Sequence, residues 1–440
     1  MFNGQTIRPS RDPVPVGRRL AALCCVRLAA AAFRLPELRV LSTIAANNNP
    51  RDRRAMARDT ADLDYHLMQK VGIPRDRRAE AQGDVRLPAG TVVVSVDNHY
   101  SISEDIWWEK FPAAMKERAP RVVHQDGVYN IVVNGRSIIP EVSAPTFAAF
   151  EMVPGCAIMQ ARLADLDHEG IDKELIFGNA ALALLFGQDL EARDIICRVY
   201  NEHMAEVGSR APGRFHGVGF ANFWDPARFE ASLAEIKALG LKTFMVPQNP
   251  GKGADGEALN YASNEMEPFW HAVEASGLPL CIHIGENANP GRGGMGTSFM
   301  QNLAGFRKTI GTLVFGGVFD RHPSLRVVFM EGGINWVLTA IQDAELIWGS
   351  FDQMLDWKLD HPPRHYFDTN VYSAFMTDRL GLQLIDQIGA DRVMWSADYP
   401  HPESTFGYSW TAMKQVVDAG VSDADVRKIL GGNAIEVFKL

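Results

Sequence analysis

From residue 91 onward, short runs rich in β-branched and aromatic residues alternate with longer segments whose apolar positions recur every three or four residues. The first pattern is that of buried strands and the second that of amphipathic helices, so their alternation predicts repeated βα units around a parallel sheet. The strand-like runs are 91–97, 174–180, 214–221, 242–247, 278–286, 325–332, 365–372 and 392–398. Between them, segment 226–240 carries Phe229, Leu233, Ile236 and Leu239 at helical spacing with Gly240 as its stop, and 267–278 repeats the plan. Eight such runs predict an α/β chain folded as a closed (β/α)8 TIM barrel over 91–440, with a doubly wound open sheet as the alternative. No GxGxxG or GxxxxGK[ST] follows any run, which excludes a dinucleotide or P-loop site of the usual kind.

After the first run the alternation is interrupted by an insertion, 107–160, after the first strand. Trp107, Trp108, Phe111 and Pro112 open it, and 128–139 reads as a β-hairpin turning at Asn134-Gly135. Placed at the active end of a barrel, the insertion serves as a lid and its tryptophans as a substrate wall; the competing reading is that the aromatics glue the insertion to the barrel.

Charge changes the picture upstream. Residues 1–58 hold eleven arginines and three acidic groups, whereas the whole chain carries a net charge of −9. That segment reads as an Arg/Ala-rich N-terminal extension outside the core, and 59–90 as a linker and helix. Its apolar stretch 20–33 is broken by Arg27 and is too short to span a bilayer. An acidic balance elsewhere argues against nucleic acid as a partner, and no membrane segment is expected. Five cysteines without CxxC spacing exclude a disulfide scaffold or thiolate zinc site and fit a reducing, cytoplasmic setting.

In a barrel the chemistry belongs at the C-terminal ends of the strands. The run ends carry Asp97 and His99, Asn179, Asn222, Gln248, His283, Glu331, Asp368 and Asn370, then Asp398. Asp97 and His99, two apart on a strand, point to the same side. A barrel would bring His283, Glu331 and Asp398 to the same axis, and imidazoles with carboxylates suit Zn, Mn or Fe. Beyond Asp398, MWSADYPHPEST places His401 and Glu403 on a proline-stiffened loop, where Asp398 and His401 read as ligands, as an acid/base pair, or as a capped turn.

The stretches VDNHYSISEDIWWEKFP, ARLADLDHEGID, GLPLCIHIGE, GGVFDRHPSLRVVFMEGGINWV, MWSADYPHPEST and ILGGNAIEVFKL, in that order, resemble the amidohydrolase superfamily, in the type 2 branch typified by aminocarboxymuconate semialdehyde decarboxylase. The resemblance implies a metal-dependent barrel that hydrolyses or decarboxylates small, often aromatic or dienoic, acids. It implies Asp97, His99, His283 and Asp398 as metal ligands, with Asp97 standing where the decarboxylase type has a histidine. Glu331 stands where many relatives carry histidine, and Ile102 where many carry glutamate. Asp398, His401 and Glu331 are then the catalytic candidates, and Trp107, Trp108 and Arg162 the substrate-binding ones.

The main functional expectation is a hydrolase that acts through a metal-activated water on a small carboxylic acid or amide; the alternative is a non-oxidative decarboxylase. Further alternatives are a dinuclear-metal oxygenase and an inactive partner subunit. One divalent ion is expected, zinc first, with manganese or iron as alternatives, and a homodimer is the expected assembly.

Overall fold

The computed structural model describes residues 82–440 apart from 126–127, 134, 138–152, 180–189, 254–255, 286–288, 290, 304–305 and 402. The extension 1–58, residues 59–81 of the linker, and part of the insertion lie outside the described residues. Strand β1 (Val94–Tyr100) opens the barrel, and the insertion supplies β2 (Arg121–Gln125), β3 (Val128–Val133) and β4 (Arg136–Ser137). The barrel resumes with β5 (Lys173–Gly178), β6 (Phe215–Gly217), β7 (Gly219–Phe220), β8 (Phe244–Met245) and β9 (Leu280–His283), then β10 (Val327–Met330), β11 (Val371–Phe375) and β12 (Val393–Trp395).

The parallel pairings run β1-β5-β6 and β7-β8-β9-β10-β11-β12. Strands β6 and β7 are two halves of one strand on either side of Val218, whose N–H donates to Ile176 O at 2.9 Å; the next, Gly219 N–H, donates to Thr243 O at 3.1 Å. The other seam is closed beyond β12. Asp398 N–H donates to Asp97 O and His99 N–H to Tyr399 O, both at 2.7 Å, while Ala397 N–H donates to Ser95 Oγ at 2.8 Å. Eight strands therefore form a ring, as the alternation predicts. Their runs are nearly continuous in apolar residues because helices cover one face and barrel-filling side chains the other. Strands β9 and β10 are buried at every position.

Helix boundaries follow local chemistry. The helix Glu267–Ser276 has Pro268 in its first turn and ends at Gly277, which adopts the left-handed conformation that glycine takes without strain. Helix Met159–Glu169 stops at Gly170 (φ 75°), where a Cβ would sit 2.3 Å from the Trp410 ring. Among the described residues no helix is long and apolar enough to cross a membrane.

One predicted run departs from expectation. Segment 365–369 belongs to the helix Pro363–Thr369, and the seventh strand begins at Val371. The Pro362-Pro363 pair starts that helix, with a proline in the first turn where its missing N–H costs nothing. Asp368 therefore pairs with Arg364 at 3.1 Å on the helix surface, and Asn370 donates to Pro323 O and Leu325 O below the barrel. Neither is a strand-end group. In the insertion, β2, β3 and β4 form an antiparallel sheet, with Val132 opposite Ser137 and Val133 opposite Arg136 as the predicted hairpin requires.

Candidate metal centre

The site is built outward from β1. Its pairing with β5 shifts register between Ser95 and Asn98, an irregularity of the kind that re-aims side chains next to active sites. Asp97 and His99 turn toward the barrel axis, while Asn98 points the other way into a buried network. Its Oδ1 accepts from Tyr399 N–H and Ser95 Oγ, both at 2.9 Å, and its Nδ2 donates to Glu174 at 2.6 Å. Glu174 is held by Arg162 through bonds of 2.7 and 2.8 Å, and Arg162 also donates to His99 O and Gly155 O. The backbone of His99 is thus gripped at both its N–H and its carbonyl.

The remaining groups arrive from other strands. His283 ends β9, Glu331 follows β10, and Asp398 lies three residues past β12. Glu331 (φ 64°) and Asp398 (φ 56°) both adopt the left-handed region, which costs a residue with a Cβ about 1–2 kcal/mol and persists where the surroundings enforce it. For Glu331 the enforcer is Asp378, whose carboxylate accepts from Ile334 N–H, Asn335 N–H and Gly381 N–H at 2.7–2.8 Å and so pins the loop after β10.

Four of the donor atoms, from Asp97, His99, His283 and Glu331, lie within 4.8 Å of one another, and a second set joins His99, Glu331, Asp398 and His401. His99 Nε2 stands 3.1 Å from Asp398 Oδ1 and 3.6 Å from Asp97 Oδ1. His283 Nε2 stands 3.1 Å from Glu331 Oε2 and 3.4 Å from Asp97 Oδ1. His401 stacks on His99 with ring centroids 3.8 Å apart, its Nδ1 3.2 Å from Asp398 and its Nε2 3.4 Å from Asn179 Oδ1.

Both oxygens of Asp97 and of Asp398, and the Nε2 atoms of His99 and His283, are buried without a hydrogen-bond partner. Six converging orphaned donors are costly unless a cation satisfies them. Proton affinities tell the same story. Burial, then the charges of Glu403 and Asp97, pushes the Asp398 carboxyl well above its usual range. Burial and Asp398 do the same to Glu331. Burial opposes protonation of His283, yet the neighbouring Asp97 and Glu331 carboxylates lift it to about 10. Burial, with His401 and His283, holds His99 well below its ordinary value. The cluster carries more negative charge than its buried setting accommodates, and a divalent cation fits that deficit. His283 Nδ1 lies 2.8 Å from Ile284 O, which leaves Nε2 as the atom facing the cluster.

The sequence profile described as amidohydrolase matches residues 96–440. The chain belongs to the amidohydrolase family. The family relatives include the gamma-resorcylate decarboxylase of Polaromonas sp., 25% identical over 314 residues that cover 64% of this chain and 88% of that one. The 2-amino-3-carboxymuconate-6-semialdehyde decarboxylase of Dictyostelium discoideum is 25% identical over 299 residues, covering 66% and 79%. Among solved structures, a dihydroxybenzoic acid decarboxylase from Polaromonas sp. with bound manganese superposes with a TM-score of 0.57 at 19% identity, covering 80% of this chain and 97% of that one.

Within this family member the structure gathers Asp97, His99, His283, Glu331, Asp398 and the half-buried His401 in one cluster, and it gives the three residues expected to bind substrate protein partners of their own. Arg162 has no exposed surface and spends its guanidinium on Glu174 and two carbonyls, so it clamps β1 and β5 from within. Trp107 is fully buried in the hydrophobic core, with its indole N–H donating to Ile196 O at 3.3 Å. Trp108 lies under the Arg121 guanidinium at 4.0 Å. Trp107 is thus core packing, and Trp108 packs against Arg121 of the insertion itself. Asn179, at the end of β5, is a site residue that the run ends include without assigning a role; its Nδ2 donates to Ser101 Oγ while its Oδ1 faces His401. Glu403, left without a role by the sequence, adds negative charge in the neighbourhood of Asp398.

Proposed function

We propose that this protein is a metal-dependent carboxy-lyase that removes carbon dioxide, without oxidation, from a small aromatic or dienoic carboxylic acid. The observation that carries the reading is the buried convergence of imidazole and carboxylate donors, several of them orphaned, at the strand ends of a scaffold whose named relatives are decarboxylases. The hydrolase expectation gives way for that second reason: the relatives break a carbon–carbon bond to a carboxylate.

Asp97, His99 and His283 would hold one divalent ion, with a carboxylate from Glu331 or Asp398 as a fourth donor. When bound, the ion would anchor the substrate's carboxylate and an adjacent oxygen as a Lewis acid. Zinc and manganese are the ions to test first, since a related structure contains manganese. Asp398, paired with His401, delivers the proton that the two share to the carbon that bears the carboxylate. The bond to the carboxyl carbon then breaks, its electron pair returns to the ring or chain, and carbon dioxide leaves. His401, 3.2 Å from Asp398, restores the proton, and Asn179 orients it. The protein is proposed to work as a homodimer.

The test is carbon dioxide release from a panel of hydroxybenzoates and muconates by protein reconstituted with zinc or manganese. Release from at least one acid, absent after chelation, is expected. Hydrolysis of an amide or ester panel without any carbon dioxide release would return the reading to the hydrolase.

A further inference from the structure

The helix Met159–Glu169 carries a charged stripe where an amphipathic helix normally places apolar residues. Arg162, Asp165 and Glu169 stand at i, i+3 and i+7 and so share one face; Arg162 and Glu169 are buried and Asp165 is half-buried. Each holds a different part of the chain. Arg162 donates to His99 O of β1 at 2.9 Å. Asp165 accepts from the Tyr399 hydroxyl at 2.6 Å. Glu169 accepts from Gly407 N–H at 2.6 Å and from the Ser409 hydroxyl. Tyr399 and Gly407 bracket His401 in the chain. We infer that Asp165 and Glu169 are positioning residues, which tie the loop 399–409 to the helix that also grips β1 and so set where His401 stands against His99.

Ordinary helix packing does not account for the stripe. A buried charged group is often no more stabilising than a well-packed apolar residue of similar volume, so stability alone gives no reason for such groups on one face. The surrounding chain also makes room for each tether. A Cβ on Gly155 would lie 2.2 Å from the Tyr399 hydroxyl and 2.7 Å from Asp165 Oδ2, so a glycine there lets that bond close. Gly407 donates to Glu169 from a backbone at φ 94°, which glycine adopts without strain. The Arg162 guanidinium lies over the Tyr399 ring at 4.8 Å, and Tyr399 O accepts from His99 N–H at 2.7 Å, so helix, loop and β1 are joined around one tyrosine. The inference rests on the proton delivery proposed above and deepens it: His401 keeps its place because its loop is held on both sides by a helix outside the cluster.

The test combines amide hydrogen exchange with steady-state kinetics on full-length, manganese-reconstituted protein, for wild type, Glu169→Ala, Glu169→Gln, Tyr399→Phe and Gly155→Ala. Trp410→Phe is the control: its indole donates to His168 O at 3.0 Å, so its loss weakens the same helix without freeing the loop. In Glu169→Ala, exchange in peptides covering 399–409 should rise at least about tenfold while β1 stays protected. Its kcat should fall about 10–100-fold with KM within about twofold, because the loop is displaced and substrate binding is not. Glu169→Gln, which keeps an acceptor oxygen, should recover most of both losses. Tyr399→Phe and Gly155→Ala remove one bond from two sides and should loosen the loop alike. Loop exchange within about twofold of wild type in both Glu169→Ala and Tyr399→Phe overturns the inference. An equal loss of kcat in Trp410→Phe overturns it too, since general destabilisation would then explain the effect. A wild type that decarboxylates nothing, with the loop loosened in these variants, upholds the tether and sinks the proposed function.

Discussion

Replacing Arg162 by methionine should destabilise the fold far more than it disturbs substrate binding. The change strands Glu174, a carboxylate with no exposed surface that then keeps only Asn98 Nδ2 as a partner, and it leaves His99 O and Gly155 O without their donor. Breaking a buried ion pair from one side costs about 3–5 kcal/mol, and each abandoned carbonyl adds about 1 kcal/mol. The sum is about 5–7 kcal/mol. With an unfolding entropy of about 2.1 cal/mol/K per residue over about 350 residues, it corresponds to a fall in Tm of about 7–10 °C. The double variant Arg162→Met/Glu174→Leu removes both charges and should recover more than half of the loss. Differential scanning fluorimetry with steady-state kinetics at a permissive temperature checks this. A Tm within about 2 °C of wild type, together with a KM raised tenfold, would mean that Arg162 meets substrate and that its buried placement is wrong.

Other consequences can be measured alongside. Asp398→Asn should lower kcat by about 100- to 10,000-fold while the protein stays folded, since the group removed is the proposed proton donor; near-normal turnover would exclude it. Asp378→Ala deprives Ile334, Asn335 and Gly381 N–H of a charged acceptor and should cost about 3 kcal/mol in urea unfolding, with weaker metal retention; a change below about 0.5 kcal/mol would show that the loop after β10 holds itself. His216 is held by burial at about 4, below its ordinary value. Its contribution is therefore complete above about pH 6.5 and is lost as pH falls through about 4, by about 2 kcal/mol after allowance for its partial exposure. His216→Gln should flatten the stability profile across that window, and an unchanged profile would remove His216 from the account.

Much of the fold was legible from periodicity. Parallel strands buried on both faces must be apolar throughout, and the helices between them must be apolar on one stripe, so eight βα units show in the order of residue types alone. The site was legible for a related reason. A closed barrel sends every strand end to one axis, so ionisable residues in that position, Asp97, His99, His283, Glu331 and Asp398, are adjacent in space although scattered along the chain. The seventh run failed because its aromatic residues fit helix and strand alike, and the stronger sign was the Pro362-Pro363 pair in front of it.

Arg162 and Trp107 show what only the tertiary structure decided. Sequence identifies a guanidinium or an indole by its chemistry; whether it faces substrate or the core depends on partners distant in the chain, here Glu174, His99 and Ile196. The same holds for the placement of the carboxylates. Residue type and strand position made Asp97, Glu331 and Asp398 equal candidates. Backbone geometry and the Asp378 clamp place Glu331 against His283, while the turn beyond β12 places Asp398 between His99 and His401. Periodicity determines which residues reach the centre, and the packing of the loops determines which atom each one presents there.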